Sequence, residues 1–241
     1  MQEISGIMLC LDLTPAVLEE ARRVSRAVDV AGRLDLRGKF VFTCDPATAR
    51  DYDDALSFET DRGGNRVLGV HIADVSHFVR PGSALDREAY KRSTSVYFCD
   101  RVLPMLPETL SNGVCSLVPG EDRLAFSVFM TFDAKGTMID RSFAKTVIRS
   151  KARFTYEQVM TVISGGSVAS VWRGPKPITV DRTIRAIDTL ARQLRANRFA
   201  AGALDLEVPE VEVVLDRDGE MTGEGRRTAA HVHGHVPYRA A

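Results

Sequence analysis

Four aspartates, Asp45, Asp51, Asp53 and Asp54, lie within ten residues of one another. Like charges this close repel, so their concentration needs a physical reason. A solvated acidic loop is one interpretation. A calcium loop starting at Asp51 fits poorly, because Leu56 stands where that loop requires glycine. The third interpretation is a magnesium site for phosphoryl transfer, because Mg²⁺ binds a few carboxylates together with waters and substrate phosphate oxygens.

The neighbouring residues predict the elements that would position these carboxylates. Residues 40–44 form a short β-rich run, so the aspartates lie on the loop that leaves a strand, a common location for site residues. Residues 56–59 and 66–73 flank a glycine-rich turn and predict a β-hairpin. Residues 123–132 and 138–149 predict a second antiparallel pair.

Helical patterns surround these strands. Apolar spacing and end signals predict four helices, over residues 14–30, 83–91, 155–163 and 180–199. The third begins with a capping box formed by Thr155 and Gln158. Residues 92–119 are rich in proline and read as an ordered, packed loop, and residues 211–215 alternate like a strand.

Composition sets the broad class. The 241 residues are enough for one large domain or two small ones, and no apolar run approaches the roughly 18 residues of a membrane span. There is no secretory signal pattern at the N-terminus. The four cysteines form no CxxC pair and read as reduced thiols, so we expect a cytoplasmic protein without membrane partners.

The charge is zero overall but unevenly distributed. A zero net charge argues mildly against a dedicated nucleic-acid binder. Residues 141–200 nevertheless carry twelve Lys and Arg against three acids, whereas residues 201–224 carry eight acids against Arg217 alone. The basic region is either part of a polyanion channel or an ordinary solvated surface.

The aspartate phrase resembles the catalytic RNB domain of the ribonuclease II/ribonuclease R family. In that family an aspartate is followed six, eight and nine positions later by three more and then by alanine, as in Asp45 to Ala55 here. Further phrases match in order: VHIADVSH (70–77), TSVYF (94–98), VLPMLPE (102–108), LSNGVCSL (110–117), DRL (122–124), ARFTY (152–156) and GALD (202–205). The resemblance runs from about residue 33 to residue 219.

The resemblance implies a processive, Mg²⁺-dependent 3′→5′ exoribonuclease that releases nucleoside 5′-monophosphates from single-stranded RNA, with no preference for DNA. By position, Asp45, Asp51 and Asp54 would hold magnesium, and Asp53 would be tied most closely to the chemical step. Tyr97 matches a position that stacks on a base near the 3′ end; the alternative is a core tyrosine in the packed loop. His71 and His77 are expected to have packing or supporting roles rather than to bind metal.

With the predicted hairpins and helices, the resemblance also implies an α+β fold, in which helices pack on a mixed, largely antiparallel sheet. We predict an N-terminal helix and linker over residues 1–32 and a partial RNB catalytic domain over residues 33–222. Residues 223–241 read as an atypical tail that resembles out-of-frame text, with a metal site at His231, His233 and His235 as the alternative.

The chain departs from the family in one respect that bears on activity. The second half of the family's catalytic domain is not found, and Leu206 stands where the family often has an aromatic residue. Two hypotheses therefore remain. The chain is either an active exoribonuclease or a truncated, inactive fragment that retains at most metal or weak RNA binding; the sequence leaves its oligomeric state unknown.

Overall fold

The structure is a computed structural model that describes residues 2–4, 7–9, 12–26, 28–98, 101–172, 174, 176–204, 210–215 and 221–227. Side chains are described between residues 12 and 204 of these ranges. The strands are β1 (Gln2–Ile4), β2 (Ile7–Leu9), β3 (Leu34–Asp35), β4 (Phe42–Asp45), β5 (Asp54–Thr60), β6 (Arg66–Ala73), β7 (Val96–Tyr97), β8 (Val102–Leu103), β9 (Asp122–Phe132), β10 (Met138–Arg149), β11 (Ala152–Thr155), β12 (Glu210–Leu215) and β13 (Met221–Arg227). The helices are α1 (Pro15–Val24), α2 (Val75–Phe78), α3 (Ala84–Arg92), α4 (Tyr156–Ile163) and α5 (Pro177–Ala200), with a π-helix at Thr109–Val114 and a 3₁₀ turn at Val168–Ser170.

A seven-stranded sheet organises the molecule, in the order β11-β4-β5-β6-β9-β10-β3. Its four internal pairings from β4 to β10 are antiparallel, and the two outermost pairings, β11 with β4 and β10 with β3, are parallel. Both predicted hairpins are present, as β5–β6 and β9–β10. The predicted α+β fold with a mixed, largely antiparallel sheet is confirmed.

Helices cover both faces of this sheet. Successive side chains on a strand point to opposite faces, and Val41 and Phe42 accordingly belong to different cores. The first core joins Val41 to buried residues of α1, α2, α3 and the π-helix. The second joins Phe42 and Phe154 to α4 and α5. The segment around β4 is therefore held from both faces, and β5 likewise contributes Ala55 to the first core and Leu56 to the second.

Local sequence signals explain most of the helix boundaries. Thr155 and Gln158 form the predicted capping box at the start of α4. α5 starts three residues earlier than predicted, at Pro177, a residue that suits the first helical turn because it has no N–H to satisfy. α1 ends at Val24 and not at residue 30, and the Asp29 carboxylate instead accepts a bond from the Ala31 N–H in a local turn.

Two segments differ from the sequence prediction. Residues 92–119, predicted as a packed loop, also contain the short β7–β8 pair and the π-helix. Residues 223–227, predicted as tail, lie in β13, which pairs with β12 outside the main sheet. His231, His233 and His235 lie outside the described residues, as does Leu206. No helix within the described ranges is long and apolar enough to cross a membrane.

Candidate active site

The junction between β4 and β5 brings the predicted aspartates together. Asp45 is the last residue of β4 and Asp54 is the first residue of β5. The two strands are antiparallel neighbours in which Phe42 pairs with Leu56. The end of β4 and the start of β5, which carry the carboxylates, therefore lie side by side at one end of the strands. Asp51 and Asp53 lie on the connecting loop. The sequence therefore placed all four carboxylates correctly at a strand-to-loop junction.

Backbone bonds fix the end of this loop to neighbouring elements. The Asp53 carbonyl accepts a bond of 2.9 Å from the Ala73 N–H at the end of β6. The Tyr52 carbonyl accepts a bond of 2.8 Å from the Leu117 N–H. These bonds hold the backbone on both sides of the Asp53 side chain, which is itself exposed.

Burial and mutual repulsion disfavour ionisation at the junction. The pKa of Asp45 is raised mainly by burial, and the carboxylates of Asp54 and Asp53 add to the shift while Arg153 opposes it. Partial desolvation by the surrounding protein also raises the pKa of Asp53 and of Asp54, although both side chains still reach solvent, and the charges of Asp51 and Asp54 add to the shift at Asp53. A bound cation would reverse this balance, because an adjacent positive charge favours the ionised form.

Asp45 also carries a polar atom that lacks a partner. Its side chain is 7% exposed, and among the described residues its Oδ2 atom has no hydrogen-bond partner. Buried carboxylate oxygens are normally bonded, since burial without a partner is costly. An oxygen-only donor set of this kind suits a hard cation such as Mg²⁺.

The carboxylates do not by themselves enclose an ion. Within the part of the chain that the structure describes, no group of three or more His, Cys, Asp or Glu side chains forms a metal-binding arrangement. Mg²⁺ commonly uses only one or two protein carboxylates and completes its shell with waters and substrate phosphate oxygens. The residues present fit such a partial shell.

Tyr97 faces this junction from the edge of β7. Its side chain is 70% exposed, so the alternative of a core tyrosine is wrong. The pKa of Tyr97 is raised by partial burial and by the negative charges of Asp51 and Asp53, so the phenol lies within electrostatic range of these carboxylates. An exposed aromatic ring next to the acids provides a stacking surface for a base.

The two histidines in the shared strand phrase have packing roles. His71 is fully buried, and its ring nitrogens contact Ser127 Oγ at 2.7 Å and Ser57 Oγ at 3.0 Å. Both nitrogens are thus engaged in hydrogen bonds. His77 Nδ1 lies 3.3 Å from Arg33 Nη2, which also forms a buried ion pair of 2.6 Å with Asp74.

Several basic side chains between residues 141 and 200 bond to the protein itself. Arg185 donates to the carbonyls of Val162 and Gly166 at the end of α4, and Arg192 pairs with Asp188 on α5. Part of this basic region therefore stabilises the fold and does not form an open polyanion channel.

Sequence reasoning assigned no role to two residues that contact the aspartate loop. Ser116 bonds to the loop backbone on both sides of Asp51, and Arg153 contacts the loop from β11. Both lie within phrases that match the family, LSNGVCSL and ARFTY. That membership was the only available signal, because nothing in their residue types or spacing links them to residues 46–53.

Comparison with known proteins agrees with the fold and the aspartate phrase. The family model described as "RNB domain" matches residues 33–233. Ribonuclease R of Thermotoga maritima is 46% identical over 209 residues, which are 85% of this chain and 29% of that protein. The structure titled "Mycoplasma genitalium RNase R in complex with ribose methylated single-stranded RNA" superposes with a TM-score of 0.81 and 31% identity, over 91% of this chain and 34% of that one.

The matches also bear on completeness and on activity. The chain spans about 30% of the length of the curated ribonuclease R relatives that it matches. A structure titled "Structure of yeast Ssd1, a pseudonuclease" shares the fold with a TM-score of 0.60 at 23% identity, over 71% of this chain and 20% of that one. The fold alone therefore does not establish activity.

Proposed function

Because the chain belongs to the RNB-domain family, we propose that it is the metal-binding part of an exoribonuclease. It hydrolyses single-stranded RNA from the 3′ end to nucleoside 5′-monophosphates, with Mg²⁺ as cofactor. The observation that carries this proposal is the aspartate cluster at the β4–β5 junction, where a buried carboxylate oxygen of Asp45 lacks a partner among the described residues. Among the described residues the Cys44 and Cys115 thiols are free, which suits a reducing compartment, and we place the protein in the cytoplasm.

Each aspartate has a role in this proposal. Asp45, Asp51 and Asp54 supply oxygen ligands, and Asp53 acts closest to the reacting phosphate. When bound, Mg²⁺ supplies Lewis-acid polarisation of the phosphate and lowers the pKa of a bound water. The backbone bonds at Tyr52 and Asp53 keep the carboxylates in place before substrate arrives. Rigid placement matters because small displacements of reacting groups reduce the rate strongly.

Tyr97 provides the contact with RNA. Its exposed ring beside Asp51 and Asp53 would stack on a base near the 3′ end and hold the last phosphate over the carboxylates. Stacking does not depend on base identity, because every base has a π-face. An enzyme that degrades RNA one nucleotide at a time requires this tolerance of sequence.

A truncated, inactive fragment is the second candidate. The observation in its favour is the coverage of about 30% of the ribonuclease R relatives. In this alternative the chain keeps its carboxylates and binds metal or RNA weakly, but lacks groups that stabilise the transition state.

Product analysis with purified protein tests the proposal. A single-stranded RNA oligonucleotide is incubated with Mg²⁺ or with EDTA, and nucleoside monophosphates are separated by chromatography. We expect Mg²⁺-dependent release of 5′-monophosphates by the wild-type chain and by Asp140→Asn, whose carboxylate is exposed on β10 far from the junction. Asp53→Asn should release none above background.

The results separate the two candidates. Mg²⁺ binding without any mononucleotide release by the wild-type chain would support the inactive fragment. Equal release by wild type and Asp53→Asn would contradict the assigned role of the cluster.

A further inference from the structure

The Arg153 side chain on β11 contacts the start of the aspartate loop, residues 46–53, which connects β4 to β5. It lies on β11, the edge strand that pairs in parallel with β4. Its Nη2 atom donates to the Pro46 carbonyl at 2.6 Å and to the Ala47 carbonyl at 3.0 Å. These are the two residues that directly follow Asp45, so the guanidinium fixes the direction in which the chain leaves β4.

The same guanidinium also contacts the far end of the loop. Its central carbon lies 5.4 Å from the centroid of the Tyr52 ring, within the range of a cation–π interaction. Tyr52 stands between Asp51 and Asp53, and it packs against the first core. One side chain on β11 thereby joins the two ends of the segment that carries the cluster.

The Arg153 side chain is built into the protein and is not a loose surface cation. Its Nε atom is buried and has no hydrogen-bond partner among the described residues. Burial of an N–H group without an acceptor is unfavourable. The contacts with Pro46, Ala47 and Tyr52 must therefore compensate for this burial.

Ser116 contacts the same loop from a second segment of the chain, the one that follows the π-helix. It is fully buried, and its hydroxyl donates to the Arg50 carbonyl at 3.1 Å while it accepts a bond of 3.0 Å from the Tyr52 N–H. The two bonded groups belong to the residues on either side of Asp51. A single buried hydroxyl thus holds the backbone immediately before and immediately after Asp51.

We propose that Arg153 and Ser116 are positioning residues that form a clamp on residues 46–52 from two different elements and keep the aspartate loop at the β4–β5 junction before metal arrives. This inference rests on the proposed function. Like charges at the junction repel and would spread an unrestrained loop. Arg153 opposes that repulsion with a permanent positive charge, which lysine reproduces only in part because it lacks the planar guanidinium that bonds and stacks at once.

Four variants test the clamp. Arg153→Met removes the charge and the hydrogen bonds, Arg153→Lys keeps the charge, and Ser116→Ala removes the bracketing hydroxyl. Arg66→Met is the matched control, because Arg66 also donates to a backbone carbonyl, that of Asp133, but at the opposite end of the sheet.

Amide hydrogen exchange and Mn²⁺ affinity provide two readouts apart from turnover. Exchange at residues 47–53 should accelerate at least tenfold in Arg153→Met and Ser116→Ala, while exchange in β6 and β9 stays at the wild-type rate. Mn²⁺ binding, followed by electron paramagnetic resonance, should weaken about 10–100-fold, as for other groups that orient metal ligands. Arg153→Lys should fall between wild type and Arg153→Met, and Arg66→Met should match wild type in both measurements.

The outcomes distinguish this inference from the proposed function. If the wild-type chain binds Mn²⁺ but releases no nucleotide, the proposed function fails while exchange and affinity still decide the clamp. If Arg153→Met does not fold, Arg153→Lys and Ser116→Ala provide the same comparison. Loop exchange and Mn²⁺ affinity within twofold of wild type in the folded variants would overturn the clamp.

Discussion

Two polar clusters in the same sheet are built in opposite ways: the cluster around His71 is buried, whereas at the β4–β5 junction Asp45 is buried and Asp53 and Asp54 are exposed. Around His71, both ring nitrogens and the hydroxyls of Ser57, Ser127 and Thr146 form a continuous chain of bonds between 2.7 and 3.2 Å across four neighbouring strands. At the β4–β5 junction, four carboxylates crowd together and Asp45 Oδ2 has no partner among the described residues. The His71 network is complete within the protein, whereas the junction keeps an oxygen without a partner among the described residues, where we propose that a metal binds.

The pKa shifts show the same contrast. Burial lowers the pKa of His71 to about 4, with a contribution from Lys39, so the ring is neutral near pH 7 and suits its neutral partners. Desolvation raises the pKa of Asp45, Asp53 and Asp54, although the proposed chemistry needs these groups ionised. The neutral His71 ring therefore suits its neutral partners without a ligand, whereas an adjacent cation would favour the ionised form of the aspartates.

The largest expected effect comes from Asp45→Asn. Loss of a buried ligand should reduce RNA hydrolysis by about 10²–10³-fold or more, comparable to the removal of other preorganised electrostatic groups. Without metal the variant should be more stable than wild type, because it removes the charge from a buried carboxylate whose Oδ2 atom has no hydrogen-bond partner among the described residues. Activity assays and thermal unfolding with and without Mg²⁺ measure both effects. If Asp45→Asn had a lower thermal unfolding midpoint than wild type in EDTA, the charge of Asp45 would already be compensated in the metal-free protein.

His71→Ala should affect the polar cluster around His71 and not the aspartate junction. It leaves the Ser57 and Ser127 hydroxyls without their histidine partner and creates a cavity, which should lower the free energy of unfolding by about 4 kcal/mol. Urea denaturation measures the loss, with Tyr90→Ala as control because Tyr90 is 86% exposed. Mn²⁺ affinity of the folded variant should stay near wild type. A selective loss of metal binding would contradict the separation of the two clusters.

Acid pH should weaken the His71 network. The pKa of His71 is about 4 in the folded protein against an ordinary value of 6.5, so the unfolded chain binds more protons between these values. The contribution of His71 is therefore complete above pH 6.5 and is lost as the pH falls towards 4, by about 3 kcal/mol in total. The difference in unfolding free energy between wild type and His71→Gln isolates this change from carboxylate titration. A difference that is constant from pH 7 to pH 4 would refute it.

Tyr97→Ala should have a smaller effect at the junction. Loss of one base-stacking contact should weaken single-stranded RNA binding by about 1–3 kcal/mol for any base at the 3′ end. Fluorescence anisotropy with a labelled oligonucleotide measures the affinity, and Tyr97→Phe serves as control because it keeps the ring. Equal weakening in both variants would point to a role for the hydroxyl and not for stacking.

The smallest effect is expected from a substitution at Phe143, an exposed position on β10. Phe143 is 59% exposed and stacks only loosely on Phe126, with ring centroids 6.4 Å apart. Phe143→Ser should change the free energy of unfolding by less than about 0.5 kcal/mol, as for most surface positions. A urea denaturation curve checks this, and a loss above 1 kcal/mol would show that the ring supports the fold.

Local patterns predicted the parts of the fold that local chemistry determines. The β5–β6 and β9–β10 hairpins followed from alternation and turn residues, and the start of α4 followed from its capping box. The spacing from Asp45 to Asp54 likewise grouped the four carboxylates, whereas the choice of a magnesium site among the three interpretations came from the family resemblance. The predicted end of α1, at residue 30, was wrong because polar turn residues competed with a weak helical pattern after Val24.

Long-range contacts could not be predicted in this way. Arg153 reaches carbonyls more than a hundred residues earlier in the chain, and Ser116 bonds to the backbone of Tyr52 across the first core. Their functions depend on strand order and register, which bring β11 beside β4. Neither residue has a spacing relation to the aspartates that a sequence pattern can detect.

Anomalous scattering from crystals soaked in Mn²⁺ would show directly whether metal binds at the aspartate cluster. We expect an anomalous peak in contact with the Asp45 carboxylate at the β4–β5 junction, and its loss in Asp45→Asn crystals treated in the same way. Saturating Mn²⁺ that produces peaks elsewhere on the protein but none at this junction would contradict the assignment of the aspartate cluster as a metal site.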